Sequence, residues 1–364
     1  MAGQQVALEA LGVAVAARVP VLLWGAPGTG KTSAINAMAK AMGWPCETVI
    51  AAIREPSDFA GLPIVHNGGV RFAPPLWAQR LAAADRGLLF LDEISTAPPA
   101  VQAALLRVVL ERVVGDLDLP AGISVVAAAN PPEQAADGWD LSAPLANRFC
   151  HLDWNVDPQK FAEGIAGGWA AAEVPNLPDT WEEHLALSRG LISAFISVRP
   201  SLTVIPPEDA TSAGRAWPSP RTWEMAARLW TAAALSGISD EARMALITGS
   251  VGSGAGIELL TWASEMDLPN PEDLLLDPTS FELPERGDRA LAVLAAVASA
   301  VAARPTPDRW IAGWDVLSEA AKKTPDVAAV AARVLAQCRP DGVAAPASIK
   351  AFLPVLKDAG LLTE

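Results

Sequence analysis

Eight consecutive residues constrain this chain more than any others. Gly25-Ala26-Pro27-Gly28-Thr29-Gly30-Lys31-Thr32 follows the apolar run Val21-Leu22-Leu23-Trp24 and opens a helical pattern from Lys31 to Met42. A strand that turns through glycines into a helix points backbone N–H groups at one spot, and the helix dipole adds attraction for an anion there. The spacing is that of a phosphate-binding loop in its expected strand–loop–helix setting. Lys31 is then the counter-charge for β- and γ-phosphates, and Thr32 the hydroxyl ligand for Mg2+.

A loop of this kind belongs to a parallel α/β sheet, and the first 155 or so residues supply one. Short apolar runs at Val19 to Trp24, Glu47 to Ala51, Gly87 to Asp92, Ile123 to Ala129 and Phe149 to Trp154 are expected strands. Lys31 to Met42 and Pro98 to Leu110 are expected helices between them. Asn67-Gly68-Gly69 is the expected tip of a small hairpin, and Gly115-Asp116 the turn of a second. From about Asp157 the pattern becomes helical: Thr180 to Ile196, Pro220 to Leu235, Asp240 to Ile247, Gly254 to Met266, Asp288 to Ala303, Asp308 to Ala321, Asp326 to Gln337 and Ala347 to Leu356. The acidic, proline-rich stretch Pro269 to Pro284 is the expected internal linker. The division that follows is an α/β nucleotide-binding domain over residues 1–157, a helical region with a lid over 158–268, and a helical extension over 269–364.

Two further segments carry chemistry. Leu88-Leu89-Phe90-Leu91 ends in Asp92-Glu93, two carboxylates at the end of a buried strand. Beside a phosphate-binding loop, Asp92 is placed to complete the Mg2+ shell, and Glu93 to orient and deprotonate the attacking water. Ile123 to Ala129 ends at Asn130-Pro131-Pro132. An Asn before Pro is by itself a turn residue, but a neighbouring parallel strand ends at the same edge as Asp92, where α/β sheets hold ligands. Asn130 can therefore position water against the γ-phosphate. Arg148 precedes the strand Phe149 to Trp154, and Arg221 follows the helix start Ser219-Pro220. A cation in a first helical turn opposes the macrodipole at a cost of about 0.3–1 kcal/mol, so Arg221 there asks for an anion. Both arginines suit stabilisation of transition-state charge from an adjacent subunit or lid.

Composition narrows the function classes. The 364 residues are 51% hydrophobic and 19% charged, which supports large cores rather than disorder. With 27 basic and 41 acidic residues the formal charge is −14, which repels phosphate backbones and anionic lipid. Cys46, Cys150 and Cys338 are unpaired in spacing, and His66, His151 and His184 are scattered, so neither a disulfide framework nor a zinc site is expected. No signal peptide is read at the N-terminus. The apolar run Ala290 to Ala303 falls short of the roughly 18–20 residues of a spanning helix, so a cytoplasmic location is expected. Thirteen tryptophans and no tyrosine are unusual and carry no functional reading.

The order of these motifs resembles the AAA+ ATPases, and among them the MoxR family. Gly25 to Thr32 corresponds to Walker A and Leu88 to Glu93 to Walker B. The surrounding text agrees as well: Glu55-Pro56-Ser57-Asp58 with Gly61, Phe72 and Pro74, Ile94, Ala97-Pro98-Pro99, Gln102, Ala104-Leu105-Leu106, Glu111-Arg112 and Asn130-Pro131. By this resemblance Asn130 is sensor 1, Arg148 the arginine finger and Ser219-Pro220-Arg221 the sensor 2 motif. The two hairpins are the helix-2 insert and the pre-sensor-1 insert. The resemblance implies ATP and Mg2+ as cofactors, a hexameric ring with nucleotide between subunits, and chaperone-like remodelling of a protein partner, commonly one with a von Willebrand factor A domain. Two departures stand out: Asn147 replaces the aspartate that usually precedes the finger, and Phe59-Ala60-Gly61 is the nearest approach to a pore loop.

The resulting expectation is a Mg2+-dependent ATPase coupled to a protein partner. A nucleic-acid motor is the first alternative, disfavoured by the charge of −14 and the lack of a basic run with interleaved aromatics. A non-hydrolysing nucleotide-bound scaffold is the second, disfavoured by Glu93.

Overall fold

A computed structural model describes residues 3–131, 139–169, 172–322, 325–358 and 360–361. Pro132, the last residue of the Asn-Pro-Pro segment, lies outside them. The chain divides into two compact units: Met1–Leu177 with Val204–Gly256, and Pro178–Thr203 with Ile257–Glu364.

The first unit is built on five strands, β1 (Val21–Trp24), β2 (Cys46–Ile50), β5 (Gly87–Asp92), β8 (Ile123–Ala129) and β9 (Cys150–Asp153); two hairpins add β3 (Leu62–His66) with β4 (Gly69–Ala73) and β6 (Val113–Val114) with β7 (Leu117–Asp118). The main sheet has the order β2-β5-β8-β1-β9, and every pairing in it is parallel. β1 and β8 are buried along their whole length, as continuous apolar strands covered on both faces should be. All five expected strands are present, with ends shifted by at most two residues.

Register decides what meets at the sheet's carboxyl edge. Trp24 pairs with Ala129 and with Asp153, Leu91 with Ala127, and Ile50 with Asp92. The residues that follow, Gly25, Asn130 and Trp154, together with Asp92 and Glu93, therefore leave the sheet on one side. β1 lies between β8 and β9, which come later in the chain, so the glycine loop opens where the strand order switches. Arg148 precedes β9 and so enters the sheet from the opposite edge.

The β3–β4 turn places Asn67 at φ 48° and Gly68 at φ 79°, the two left-handed positions of a tight hairpin. The tip of the second hairpin docks against the first: Gly115 N–H donates to Phe59 O (3.2 Å), Asp116 N–H to Phe72 O (3.0 Å), and Phe72 N–H to Asp116 Oδ2 (2.8 Å). A Cβ on Gly115 would meet Phe72 O at 2.6 Å, so only glycine allows this approach. Phe59 is buried and packs on Trp77 at 6.2 Å between ring centroids. Phe59 is thus part of the core, and the Phe59-Ala60-Gly61 segment does not present a pore aromatic.

Helices Gln4–Ala16, Pro220–Ser236 and Asp240–Val251 pack together in the same unit. Ser219 caps Pro220–Ser236 in a reciprocal box with Thr222. Ser239 caps Asp240–Val251 and also donates its N–H to Glu9 Oε1 (3.0 Å) and its hydroxyl to Glu9 Oε2 (2.5 Å), which ties that helix to Gln4–Ala16.

The second unit is helical. Leu185–Val198 crosses Gly287–Ala303 so closely that a Cβ on Gly190 would sit 2.4 Å from the backbone N of Ala296. Pro307–Ala321 and Ala329–Gln337 complete the core, with Trp310 Nε1 donating to Leu335 O (2.7 Å). Pro269 to Pro284 corrects the sequence reading: it is not a linker. Asn270 caps the helix Pro271–Leu276, and Leu274, Leu275 and Phe281 are buried in this core. Proline at a first helical position starts a helix rather than breaking it, and the acidic Glu272 has a partner, accepting two bonds from Arg309. Among the described residues no helix is long and apolar enough to cross a membrane.

One ion pair in this unit sets a pH-dependent stability. Asp288 accepts from Arg286 (2.9 and 2.8 Å) and from Trp262 Nε1 (3.1 Å). The Arg286 bonds foremost, then the Trp262 bond, hold its carboxyl down at about 2. A depressed carboxylate pKa adds stability above its unfolded value, near 4, and that stability is lost as pH falls toward 2. Asp288→Asn is expected to lower the unfolding free energy of this unit by about 1 kcal/mol at pH 7, a value discounted for solvent screening of the half-exposed Arg286. Denaturant unfolding from pH 7 downward should show the gap between native and variant closing between about pH 4 and pH 2.

Candidate nucleotide site

The loop between β1 and the helix Lys31–Met42 carries Gly28 at φ 76° and Gly30 at φ 87°. A Cβ at either would meet nothing within 4 Å, so glycine is required there by backbone conformation and the loop's concave side stays open. Gly25 is required by space instead, because a Cβ would meet Trp154 O at 2.6 Å. Trp154 also clasps the loop: its backbone N–H donates to Trp24 O (2.6 Å) and its Nε1 to Thr29 O (3.0 Å). Thr29 Oγ1 donates to Ala26 O (2.7 Å), which closes the turn.

Lys31 is 7% exposed, and its Nζ donates to Gly25 O (2.5 Å), Ala26 O (3.0 Å) and Asn130 Oδ1 (3.3 Å). Burial lowers its pKa, while Asp92 and Glu93 act to keep it charged. Its bonds are to neutral oxygens, so the ammonium charge is uncancelled by any direct ion pair and available to an anion in the loop. Thr32 Oγ1 donates to Asp92 Oδ2 (2.9 Å). A hydroxyl and a carboxylate in contact beside a phosphate cradle are the hard oxygen donors that Mg2+ prefers, and these residues fit that ion.

Glu93 follows with a left-handed backbone, φ 55°, and an exposed side chain. Its N–H donates to Asp92 Oδ1 (3.0 Å), and its carbonyl accepts from Thr96 Oγ1 (3.0 Å). A non-glycine residue in that region costs on the order of 1 kcal/mol, and such strain concentrates at functional sites. The turn it enforces separates the two carboxylates: Asp92 is held toward Thr32, and Glu93 projects into solvent.

Lys31, Thr32, Asp92, Glu93 and Asn130 are therefore brought together at the carboxyl edge. Arg148 and Arg221 are brought together elsewhere. Arg148 Nη1 donates to Pro144 O, and its buried Nε has no hydrogen-bond partner among the described residues. Burial first, and Arg221 second, lower the Arg148 pKa. Arg221 Nη1 donates to Asn147 Oδ1 (3.4 Å), which also accepts from Ser219 Oγ (2.8 Å); Asn147 Nδ2 donates to Trp217 O (3.3 Å). Arg148 lies in the turn before β9, at the amino edge of the sheet, whereas the glycine loop leaves the carboxyl edge.

Sequence reasoning gave no site role to Trp154 or His151, and noted Asn147 only as the residue that departs from the finger motif. His151 is 8% exposed, accepts from Trp24 Nε1 at Nδ1 (2.9 Å) and donates from Nε2 to Ala146 O (2.9 Å). Burial above all, with Arg215 adding to it, pushes its pKa down to about 4, so the ring is neutral near pH 7.

Residues 20–149 match the family model of the AAA domain, dynein-related subfamily. This part of the chain is an AAA+ P-loop domain. It is similar to the MoxR protein of Paracoccus denitrificans, 36% identical over 113 residues, covering 30% of this chain and 32% of that one. It is also similar to the chaperone MoxR1 of Mycobacterium tuberculosis, 32% identical over 136 residues, covering 36% of this chain and 35% of that one. A Nif-specific regulatory protein of Rhodobacter capsulatus is 37% identical over 142 residues, covering 36% of this chain and 24% of that one. The chain thus matches about a third or less of the length of each of these relatives.

Proposed function

We propose that this protein hydrolyses ATP with Mg2+ at sites shared between subunits of a hexameric ring, and couples turnover to chaperone-like remodelling or activation of a protein partner in the cytoplasm. The observation that carries the reading is the Thr32–Asp92 contact at 2.9 Å, with Lys31 bridging the loop to Asn130 at 3.3 Å beside it. A loop that only bound phosphate would need neither the carboxylate nor the amide.

In this reading the backbone of Gly25 to Gly30 and the Lys31 ammonium bind the β- and γ-phosphates. Thr32 and Asp92 hold Mg2+, which neutralises charge across those phosphates. Glu93 takes a proton from the attacking water, and Asn130 orients that water against the γ-phosphate. Arg148, at the opposite edge of the sheet from its own loop, stabilises transition-state charge on the neighbouring subunit's nucleotide. The helices Pro220–Ser236 and Asp240–Val251 act as the lid, and Arg221 reports nucleotide state to it. The helical region over 158–268 carries that lid and the extension over 269–364 serves partner docking. A von Willebrand factor A domain protein is the proposed partner, by likeness to the MoxR proteins. The formal charge of −14 favours a protein over nucleic acid as the object of the work.

Metal dependence tests the reading. Chelation of divalent ions is expected to abolish turnover, and Thr32→Val, which keeps the shape but removes the hydroxyl, to lower kcat by about a hundredfold at saturating Mg2+. A rate indifferent to chelator, or unchanged in Thr32→Val, overturns the assignment of Thr32 and Asp92.

A further inference from the structure

Arg148 directly follows two residues whose polar groups are committed elsewhere. Ala146 O accepts from His151 Nε2 (2.9 Å) as well as from Phe149 N–H (3.1 Å). Asn147 is 3% exposed and bonded to Trp217 and Ser219. His151 then reaches past the arginine's turn to the strand that opens the phosphate loop, where its Nδ1 accepts from Trp24 Nε1 (2.9 Å). Trp24 immediately precedes Gly25. The two rings lie nearly parallel, 14° apart, with Arg215 over the Trp24 face at 4.2 Å.

The partners dictate the proton. A carbonyl can only accept and an indole N–H can only donate, so the imidazole must be neutral with its proton on Nε2. Protonation would set Nδ1–H against the indole N–H and break the bridge. The depressed pKa of a ring buried beside Arg215 keeps that neutral form throughout the physiological range. β9 adds a second tie between the same two places, since Trp154 at its far end clasps Trp24 O and Thr29 O. The buried Trp24–His151–Ala146 bridge and the Trp154 clasp hold the arginine-bearing turn and the phosphate loop as one rigid piece.

We propose that His151 is a positioning residue for Arg148, tying the arginine that a subunit offers its neighbour to the phosphate loop of that subunit's own site. The inference rests on the reading of Arg148 as acting in trans. Its consequence is that the arginine is placed correctly only when the loop beneath it is in order, which couples successive sites without a contact between nucleotides.

Mixed assemblies test this. Subunits carrying Glu93→Gln keep an intact, ATP-binding loop but do not turn ATP over, and retain Arg148 to donate; subunits carrying Arg148→Ala retain a complete catalytic site to receive it. Mixing the two is expected to restore turnover. Adding His151→Leu to the donor is expected to cut the restored kcat about tenfold or more with the acceptor's KM unchanged, because small misplacements of a charge-stabilising group are costly. His151→Gln, which can accept and donate at similar positions, is expected to recover most of that loss. Trp24→Phe in the donor, which keeps the ring and removes the N–H, should follow His151→Leu in direction. Folding of each donor is checked by circular dichroism and by its entry into mixed rings. Full restoration by a folded, assembled His151→Leu donor overturns the inference. So does a loss seen only when His151→Leu is placed in the acceptor, since that would confine the residue to its own loop. If the unmodified pair restores nothing, the trans reading of Arg148 fails first and the positioning role falls with it.

Discussion

Glu93→Gln is expected to bind ATP within about threefold of the native affinity and to turn it over about 10²–10⁴ times more slowly. The two carboxylates of β5 have separable tasks because the left-handed turn at Glu93 points them apart. Asp92 is spent on Thr32, at 2.9 Å, and on the Glu93 N–H, at 3.0 Å. Glu93 has an exposed side chain and its backbone alone is engaged locally. The amide of glutamine has nearly the same shape and can still hold a water, but it cannot accept the water's proton. Affinity rests on the glycine loop, Lys31 and the metal ligands, none of which the substitution touches. Equilibrium binding of a fluorescent ATP analogue and steady-state phosphate release separate the two quantities. Normal turnover in the variant shows that the base lies elsewhere, and lost binding shows that Glu93 belongs to the phosphate cradle.

How much of this was legible in the chain depends on the range of the interaction. The strands of the main sheet stood out because buried parallel strands are unbroken apolar runs bounded by turn residues. Gly87–Asp92 and Ile123–Ala129 match the sequence reading at both ends. Asn67-Gly68 announced its hairpin because few residues tolerate two left-handed positions in succession. The helix Gln4–Ala16 was not singled out, and its burial explains why. Residues Ala10 to Val15 are all buried, so the segment is apolar around its circumference and shows no stripe to detect. Pro269 to Pro284 failed in the other direction. Its prolines and acids dominate the composition, yet Leu274, Leu275 and Phe281 are what the core of the second unit requires.

The site divides the same way. Loop, carboxylates and Asn130 were readable because each is a short segment at the end of a strand. The clasp of Trp154 on Thr29, the bridge from His151 to Trp24 and the bond from Ser219 to Asn147 span 125, 127 and 72 residues. Nothing local marks either partner of such a pair. Where a buried indole N–H finds an acceptor, the sequence does not say which carbonyl or ring nitrogen it is.

Arg148→Ala carries the second large effect, an expected loss of about 10³ in kcat with ATP affinity little changed. The arginine approaches from the amino edge of the sheet, opposite its own subunit's glycine loop. Its buried Nε has no partner among the described residues, and its pKa is lowered by burial and by Arg221. Two cations held close in a chain of net charge −14 are poorly satisfied within the subunit, and a neighbouring subunit's phosphate is the anion that would relieve them. Arg221, held beside it through Asn147, contributes the second charge at that place.

Steady-state ATP hydrolysis per chain, measured across a range of protein concentrations for the native protein and for Arg148→Ala, addresses a shared catalytic site directly. A native rate that climbs to a plateau as subunits assemble, with a variant rate that stays near zero throughout, is the expected result. A per-chain rate that is flat with concentration and the same in both proteins means that each subunit works alone, and contradicts the ring.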